Sequence, residues 1–185
     1  KRFSTRRGEF IKLEELLEKA VKKASKKNKE VAEDVGIGAI KYRSFSHERK
    51  SDIVFDWAQM LNLKGNSGPY LQYTYARMKS VMRKAGSWPK KIDFVLLGAE
   101  PEKAAIRELI YFPDAITRAV ERLETNIITE YLFRLAGILN NFYETTPILK
   151  APKPLRENRL NLIRAAKIIL KNGLAILGIK AVERM

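Results

Sequence analysis

Apolar residues recur at helical spacing through most of the second half of the chain, and this periodicity limits the fold more than any other feature. The repeats at every third or fourth position predict four helices, over about 101–112, 113–124, 126–145 and 156–177. Prolines such as Pro113 and Pro147 separate these segments, because proline cannot donate a helical backbone hydrogen bond. We therefore expect a mainly α-helical bundle.

The first half of the chain is less regular. Apolar spacing predicts three more helices, over about 12–27, 30–45 and 69–84. The second of these contains Gly36 and Gly38, which weaken an isolated helix by about 1 kcal/mol each and often mark close packing. Residues 51–60 are ambiguous, and the apolar and aromatic side chains at 53–57 leave one short strand open.

The composition excludes several classes of site. The chain contains no cysteine, which excludes disulfides, zinc–thiolate sites and cysteine nucleophiles, and it suits a reducing compartment. His47 is the single histidine, so we expect a surface residue there and no histidine-centred metal site. No apolar run approaches the roughly 18 residues that a membrane-spanning helix needs, so we expect no membrane partner.

The net charge of +15 favours a polyanionic partner. The excess lies in the first half, where residues 1–50 carry 15 basic and 8 acidic side chains. Phosphate contacts supply affinity without reading sequence, so charge alone does not separate RNA, DNA and an anionic membrane. A basic surface that serves only solubility is the alternative.

One face of the helix predicted at 69–84 combines aromatic and basic side chains. Tyr70, Tyr73, Arg77 and Lys84 lie at i, i+3, i+7 and i+14, so they share that face. Rings beside cations suit an unstacked RNA base and its phosphate, and stacking contributes about 1–3 kcal/mol per base. The alternative is that the tyrosines are half-buried, with only their hydroxyls at the surface.

The start of the chain is polar and basic. Ser4, Thr5, Arg6 and Arg7 precede Gly8, and such hydroxyls and guanidiniums are good partners for phosphate oxygens. A disordered basic end is the alternative interpretation. The opening lacks the apolar core of a secretory signal, and we expect the chain to be a fragment of a longer protein.

Several segments together resemble the C-terminal part of the arginyl-tRNA synthetases, a class I family. The segments that carry the resemblance are FSTRRGEFIKLEELLEKA at 3–20, VGIGAIKYRSFSHERKSDIVFDWAQML at 35–61, GNSGPYLQYTYARMKSV at 65–81, YLFRLAGILNNFYE at 131–144 and GLAILGIKAVERM at 173–185. They follow one another in order, with family-like spacing, over essentially the whole chain. The segment at 65–81 is the most specific of them.

The resemblance implies three parts. Residues 1–11 would be the K-M-S-K-S-like signature loop at the end of the catalytic domain, and residues 12–68 a helical connector. Residues 69–185 would be the helical-bundle anticodon-binding domain of class I synthetases. The family's other signature, H-I-G-H, has no match, since His47 is followed by Glu48 and Arg49. Most of the active site would therefore lie outside this chain, which would not catalyse alone.

The resemblance also implies the activity of the complete protein. It would be an enzyme that ligates arginine to tRNA-Arg with ATP and Mg²⁺, through an arginyl-adenylate. Ser4, Thr5, Arg6 and Arg7 match the signature loop, which binds ATP. Arg6 or Arg7 would supply the positive charge, because Thr5 stands where the consensus has its second lysine. We expect a cytoplasmic monomer.

The resemblance and the tyrosine face together predict the residues that contact the anticodon. They are Asn66, Tyr70, Tyr73, Arg77, Tyr143 and Met185. Sequence-specific RNA recognition favours splayed loop bases held between aromatic and apolar surfaces. Two alternatives remain open at this point: a non-catalytic basic helical RNA-binding module of another kind, and a helical interaction domain.

Overall fold

The computed structural model describes residues 12–26, 28–86 and 93–185, and within these ranges the chain is helical. The helices of this part are α1 (Leu13–Ser25), α2 (Ala32–Phe45), α3 (Trp57–Met60), α4 (Gly68–Ala85), α5 (Glu100–Ile110), α6 (Phe112–Arg122), α7 (Asn126–Thr145) and α8 (Lys153–Ile176). A single 3-10 turn, Phe94–Leu96, precedes α5. The expectation of a mainly α-helical bundle is confirmed.

The short strand that the sequence left open at 53–57 does not form. Residues 51–56 have no regular secondary structure, and the four-residue helix α3 begins at Trp57. The Asp56 carboxylate caps this helix, because its Oδ1 accepts hydrogen bonds from the backbone N–H groups of Ala58 at 2.8 Å and Gln59 at 3.3 Å. Within the described residues no neighbouring strand is present to pair with this segment.

The main core lies where α4, α7 and α8 pack together, with α5 packed on both α7 and α8 and α6 packed on α7. The apolar stripe predicted on α7 is fully buried, and α8 contributes a matching stripe. The buried side chains of the two helices include Leu132, Leu135, Leu139, Phe142, Ile163, Leu170 and Leu174. Burying side chains of this size stabilises the fold by about 1.5–3 kcal/mol each.

Helices α1 and α2 pack against each other and on this bundle through glycines. A Cβ added to Gly36 would lie 2.7 Å from the Val21 backbone nitrogen, so α1 and α2 cross in direct backbone contact. A Cβ on Gly68 would lie 2.6 Å from the Gly38 carbonyl oxygen, so α2 also crosses the start of α4 closely. The first contact explains why a glycine stands at position 36 inside α2 despite its cost to the helix, and the second explains the glycine at position 68 at the start of α4. They fix α1 against α2, and α2 against the first turn of α4.

Gly36→Ala is expected to lower the free energy of unfolding by about 1–3 kcal/mol, because its new methyl group meets backbone atoms that cannot move aside. Gly137→Ala is the matched control, since Gly137 is also helical and an added Cβ there meets nothing within 4 Å. This control should gain about 0.5–1 kcal/mol from helix propensity. Urea unfolding of both variants measures the difference, and equal midpoints would contradict the packing argument.

In the part of the chain that the structure describes, no helix is both long enough and apolar enough to cross a membrane.

Candidate functional site

A groove of about 570 Å³ opens between the first half of α4, the second half of α7 and the α3–α4 loop, residues 61–67. We call it the tyrosine groove. Its lining residues are Leu63, Lys64, Tyr70, Tyr73, Arg77, Gly137, Asn140, Asn141 and Glu144. Three residues predicted from the sequence, Tyr70, Tyr73 and Arg77, therefore lie side by side on one wall.

The α3–α4 loop is held by its own polar side chains. Ser67 caps α4, since its hydroxyl oxygen accepts from the backbone N–H of Tyr70 at 3.2 Å and its proton goes to the Asn62 carbonyl. Asn62 Oδ1 accepts from the Lys64 N–H at 2.9 Å. The Tyr42 hydroxyl donates to Asn66 Oδ1, which ties the loop to α2. The loop therefore holds Asn66 in a fixed position, where it is exposed but does not line the groove.

Arg77 occupies the centre of the site. Its guanidinium carbon lies 4.9 Å from the centre of the Tyr73 ring and 4.7 Å from that of Tyr143, so it contacts both rings. Its Nη1 donates to Glu144 Oε1 at 3.0 Å, and its Nη2 donates to the Tyr73 hydroxyl at 3.0 Å. The guanidinium thus links two tyrosines from different helices, and both its terminal nitrogens have protein partners.

Asn140 of α7 joins this cluster to Tyr70. Its Oδ1 accepts from Arg77 Nη1 at 2.8 Å. Its Nδ2 donates to the Tyr70 hydroxyl at 3.0 Å and to Thr74 Oγ1 at 2.9 Å. The Tyr70 ring also packs edge-on against Phe133, with ring centres 5.7 Å apart. Tyr70 is therefore held at its hydroxyl end as well as at its ring.

A second groove of about 390 Å³ lies further along α4, beyond Tyr143 and Glu144. We call it the lysine groove, since Lys84 of α4 and Lys150 of the α7–α8 connection line it. Tyr143 is 37% exposed and stands next to both grooves. The face predicted from Tyr70, Tyr73, Arg77 and Lys84 therefore runs along both of them.

Met185 lies on the opposite side of the α3–α4 loop from the tyrosine groove. Its side chain is partly buried against a small apolar cluster that includes Ala24, Val35 and Leu61. Met185 and these residues line a small pocket. Leu63 lines this pocket as well as the tyrosine groove, so the chain terminus packs behind the loop. In this position Met185 supports the loop, and the structure does not bring it into direct contact with the tyrosines within the described residues.

Ser4, Thr5, Arg6 and Arg7 lie outside the described residues. Among the residues that are described, no group of three or more histidine, aspartate and glutamate side chains could hold a metal ion. His47 is partly buried, and its Nδ1 donates to the Arg43 carbonyl at 2.8 Å, so it caps the end of α2. This contact gives His47 a structural role.

A separate basic cluster lies across α4 from the two grooves, where α4 packs on α8. It consists of Lys79, Arg83, Arg164, Lys167 and Lys171 around one acid, Glu183. Lys79 Nζ pairs with Glu183 Oε1 at 2.7 Å, which lowers the pKa of that carboxyl. Burial and the neighbouring cations lower the pKa of Lys167. The uncompensated positive charge makes this surface attractive to phosphates.

Sequence reasoning missed Asn140 and Glu144 on α7. A signal was present, since Gly137, Asn140, Asn141 and Glu144 recur at helical spacing and interrupt an otherwise apolar helix. A polar face on a central core helix indicates that this face contacts either solvent or a binding groove. The structure shows that this face forms the wall of the tyrosine groove opposite Tyr70 and Tyr73.

Two protein families match the chain. The family described as DALR anticodon binding domain matches residues 71–185, and the family described as tRNA synthetases class I (R), catalytic domain, matches residues 1–57. The arginine--tRNA ligase of Actinobacillus succinogenes is 39% identical over 198 residues, and that of Clostridium acetobutylicum is 40% identical over 195. Both alignments cover 100% of this chain, and 34% and 35% of those relatives. The chain thus spans about a third of their length.

Solved structures that resemble this chain come from the same kind of protein. The arginyl-tRNA synthetase of Thermus thermophilus superposes with a TM-score of 0.89 at 34% identity, over 95% of this chain and 32% of that one. The arginyl-tRNA synthetase of Plasmodium falciparum superposes with a TM-score of 0.84 at 26% identity, over 95% of this chain and 34% of that one. The helical arrangement described above is therefore the arrangement of those proteins.

Proposed function

The chain belongs to the DALR anticodon-binding family and corresponds to the C-terminal part of an arginyl-tRNA synthetase, and from this premise we propose that its tyrosine groove receives bases of the tRNA-Arg anticodon. The observation that carries the proposal is the clamp of Arg77 between Tyr73 and Tyr143, beside Tyr70. Rings held at fixed positions are surfaces on which unstacked bases can stack.

The charge distribution supports the same function. The tyrosine groove has Lys64 at its edge, and the lysine groove adds Lys84 and Lys150. Cations beside stacking surfaces neutralise the backbone phosphates of the bound loop. Asn66 would act from its exposed position in the α3–α4 loop, and Met185 would act by packing behind that loop.

The proposal for the complete protein is the ligation of arginine to tRNA-Arg. Arginine and ATP, with Mg²⁺, would bind mostly to a catalytic domain beyond this chain, with Ser4, Thr5, Arg6 and Arg7 closing over ATP.

Within the chain we propose the division into residues 1–11, 12–68 and 69–185. The close crossing of α2 over the start of α4 supports treating residues 12–68 as the connector. A monomeric state and a cytoplasmic location stay predictions.

Binding of this chain to a hairpin with the tRNA-Arg anticodon loop tests the proposal. We expect tighter binding to this hairpin than to matched hairpins with each anticodon base replaced, because stacked and hydrogen-bonded bases add contacts that phosphates lack. Affinity for every hairpin should fall with salt, since phosphate contacts release counterions. The preference among hairpins should persist. Fluorescence anisotropy across a salt series measures both quantities.

Each alternative has its own result. Equal binding to all hairpins, abolished by salt, would indicate a basic RNA-binding module that does not read the anticodon. No saturable binding near physiological salt would indicate a helical interaction domain. In a separate assay, the complete protein should charge tRNA-Arg with arginine, and its failure to do so would contradict the ligase assignment.

A further inference from the structure

The hydrogen bonds around Asn140 have a fixed direction. Arg77 can only donate, so the oxygen of the Asn140 amide must face it. The Thr74 hydroxyl gives its proton to the Tyr70 carbonyl at 2.9 Å, so it accepts from the Asn140 Nδ2. These two contacts, on opposite ends of the amide, agree on a single orientation for Asn140. Thr74 is fully buried and Asn140 is 9% exposed, so the orientation is set by these protein partners.

This orientation determines what the tyrosine hydroxyls can do. The Asn140 Nδ2 also donates to the Tyr70 hydroxyl, which must therefore accept. Arg77 Nη2 donates to the Tyr73 hydroxyl in the same way. A phenol has one proton, and no described residue accepts that proton from either tyrosine. Both hydroxyl protons are thus free to point into the tyrosine groove, which both residues line.

We propose that Asn140 and Arg77 are positioning residues that fix the Tyr70 and Tyr73 hydroxyls as hydrogen-bond donors toward the ligand. The ligand chemistry that fits is an unstacked RNA base whose edge presents acceptor atoms. The inference rests on the proposed function, and it adds that the groove presents hydrogen-bond donors to the bound base. A phenol hydroxyl without these partners could rotate, and it could accept a hydrogen bond from a ligand as readily as donate one. The network therefore makes both hydroxyls selective for ligands that present acceptor atoms.

Asn140→Asp tests the polarity directly. The aspartate has the same size and lies beside Arg77, but it only accepts, so it draws the Tyr70 proton away from the groove. Tyr70→Phe removes the same proton and keeps the ring. Each variant should lower the preference for the hairpin with the tRNA-Arg anticodon by about 2- to 10-fold, the effect of one hydrogen bond. The double variant should lose no more than either single variant.

Asn172→Asp is the matched control. Asn172 is exposed on α8, and it lines neither the tyrosine groove nor the lysine groove. Its new negative charge should weaken all hairpins alike and leave the preference among them unchanged. Circular dichroism melts of each variant establish that it is folded. If Asn140→Asp does not fold, Tyr70→Phe alone tests the donor role.

Three results would overturn the inference. A folded Tyr70→Phe variant that keeps the full preference among hairpins would mean that its hydroxyl donates to no base. Losses from Asn140→Asp and Tyr70→Phe that add together would mean that Asn140 acts on something other than the Tyr70 proton. A wild-type chain without any preference would contradict the proposed function itself, and the inference with it.

Discussion

Glu102→Gln is expected to lower the free energy of unfolding by about 3–5 kcal/mol. Glu102 and Arg159 form an ion pair in which both side chains are buried, with Arg159 Nε 2.6 Å from Glu102 Oε1. A glutamine at position 102 would leave the buried guanidinium without its countercharge. The second carboxylate oxygen also caps α5, since it accepts from the Ala99 N–H at 2.8 Å.

This pair matters to the site through the α7–α8 connection. Arg159 Nη1 donates to the Pro147 carbonyl at 2.8 Å, and Pro147 lines the lysine groove next to Tyr143. Lys103→Gln is the control, because Lys103 and Glu100 form an exposed pair at 3.6 Å, which contributes at most about 1 kcal/mol. Urea unfolding compares the two variants. A loss for Glu102→Gln no larger than that of Lys103→Gln would show that the buried pair is not needed.

Arg77→Met is expected to weaken binding of the anticodon hairpin by about 1–3 kcal/mol, which is roughly 5- to 150-fold. The substitution keeps a long apolar side chain but removes the charge between Tyr73 and Tyr143. It also removes the donors that orient Asn140 and the Tyr73 hydroxyl. Both the stacking surface and its hydrogen-bond polarity should therefore be lost together.

Arg83→Met separates this effect from the loss of one positive charge. Arg83 also lies on α4, but it faces the basic cluster, where it donates to the Glu183 carbonyl at 3.1 Å. Its substitution should weaken all hairpins by a similar, small factor and make binding less salt-dependent. Fluorescence anisotropy at two salt concentrations measures both variants. If Arg77→Met behaved as Arg83→Met does, Arg77 would contribute charge alone.

The sequence predicted the helices well because their signals are local. The helix expected at 126–145 is observed over the same residues, and the one expected at 69–84 begins and ends one residue away. The apolar content at 53–57 left a strand open, and that strand does not form. A strand needs a partner, and one capping carboxylate, Asp56, was enough to start a helix instead.

The site was predicted in part. The stripe of Tyr70, Tyr73 and Arg77 follows from helical spacing, and the structure brings Tyr143 from α7 against Arg77. Periodicity left open whether the tyrosines were half-buried or available to a ligand. The structure shows that both descriptions hold, since Tyr70 and Tyr73 are partly buried and still line the groove.

The sequence by itself determined the helical class, most helix boundaries and the face of α4 that carries the tyrosines. These follow from backbone hydrogen bonds and side-chain spacing within one or two turns. Only the tertiary structure decided which groups face those tyrosines, because Asn140 is 70 residues from Tyr70 and 63 from Arg77 along the chain. The direction of their hydrogen bonds depends on burial and on shared partners, so no local pattern could specify it.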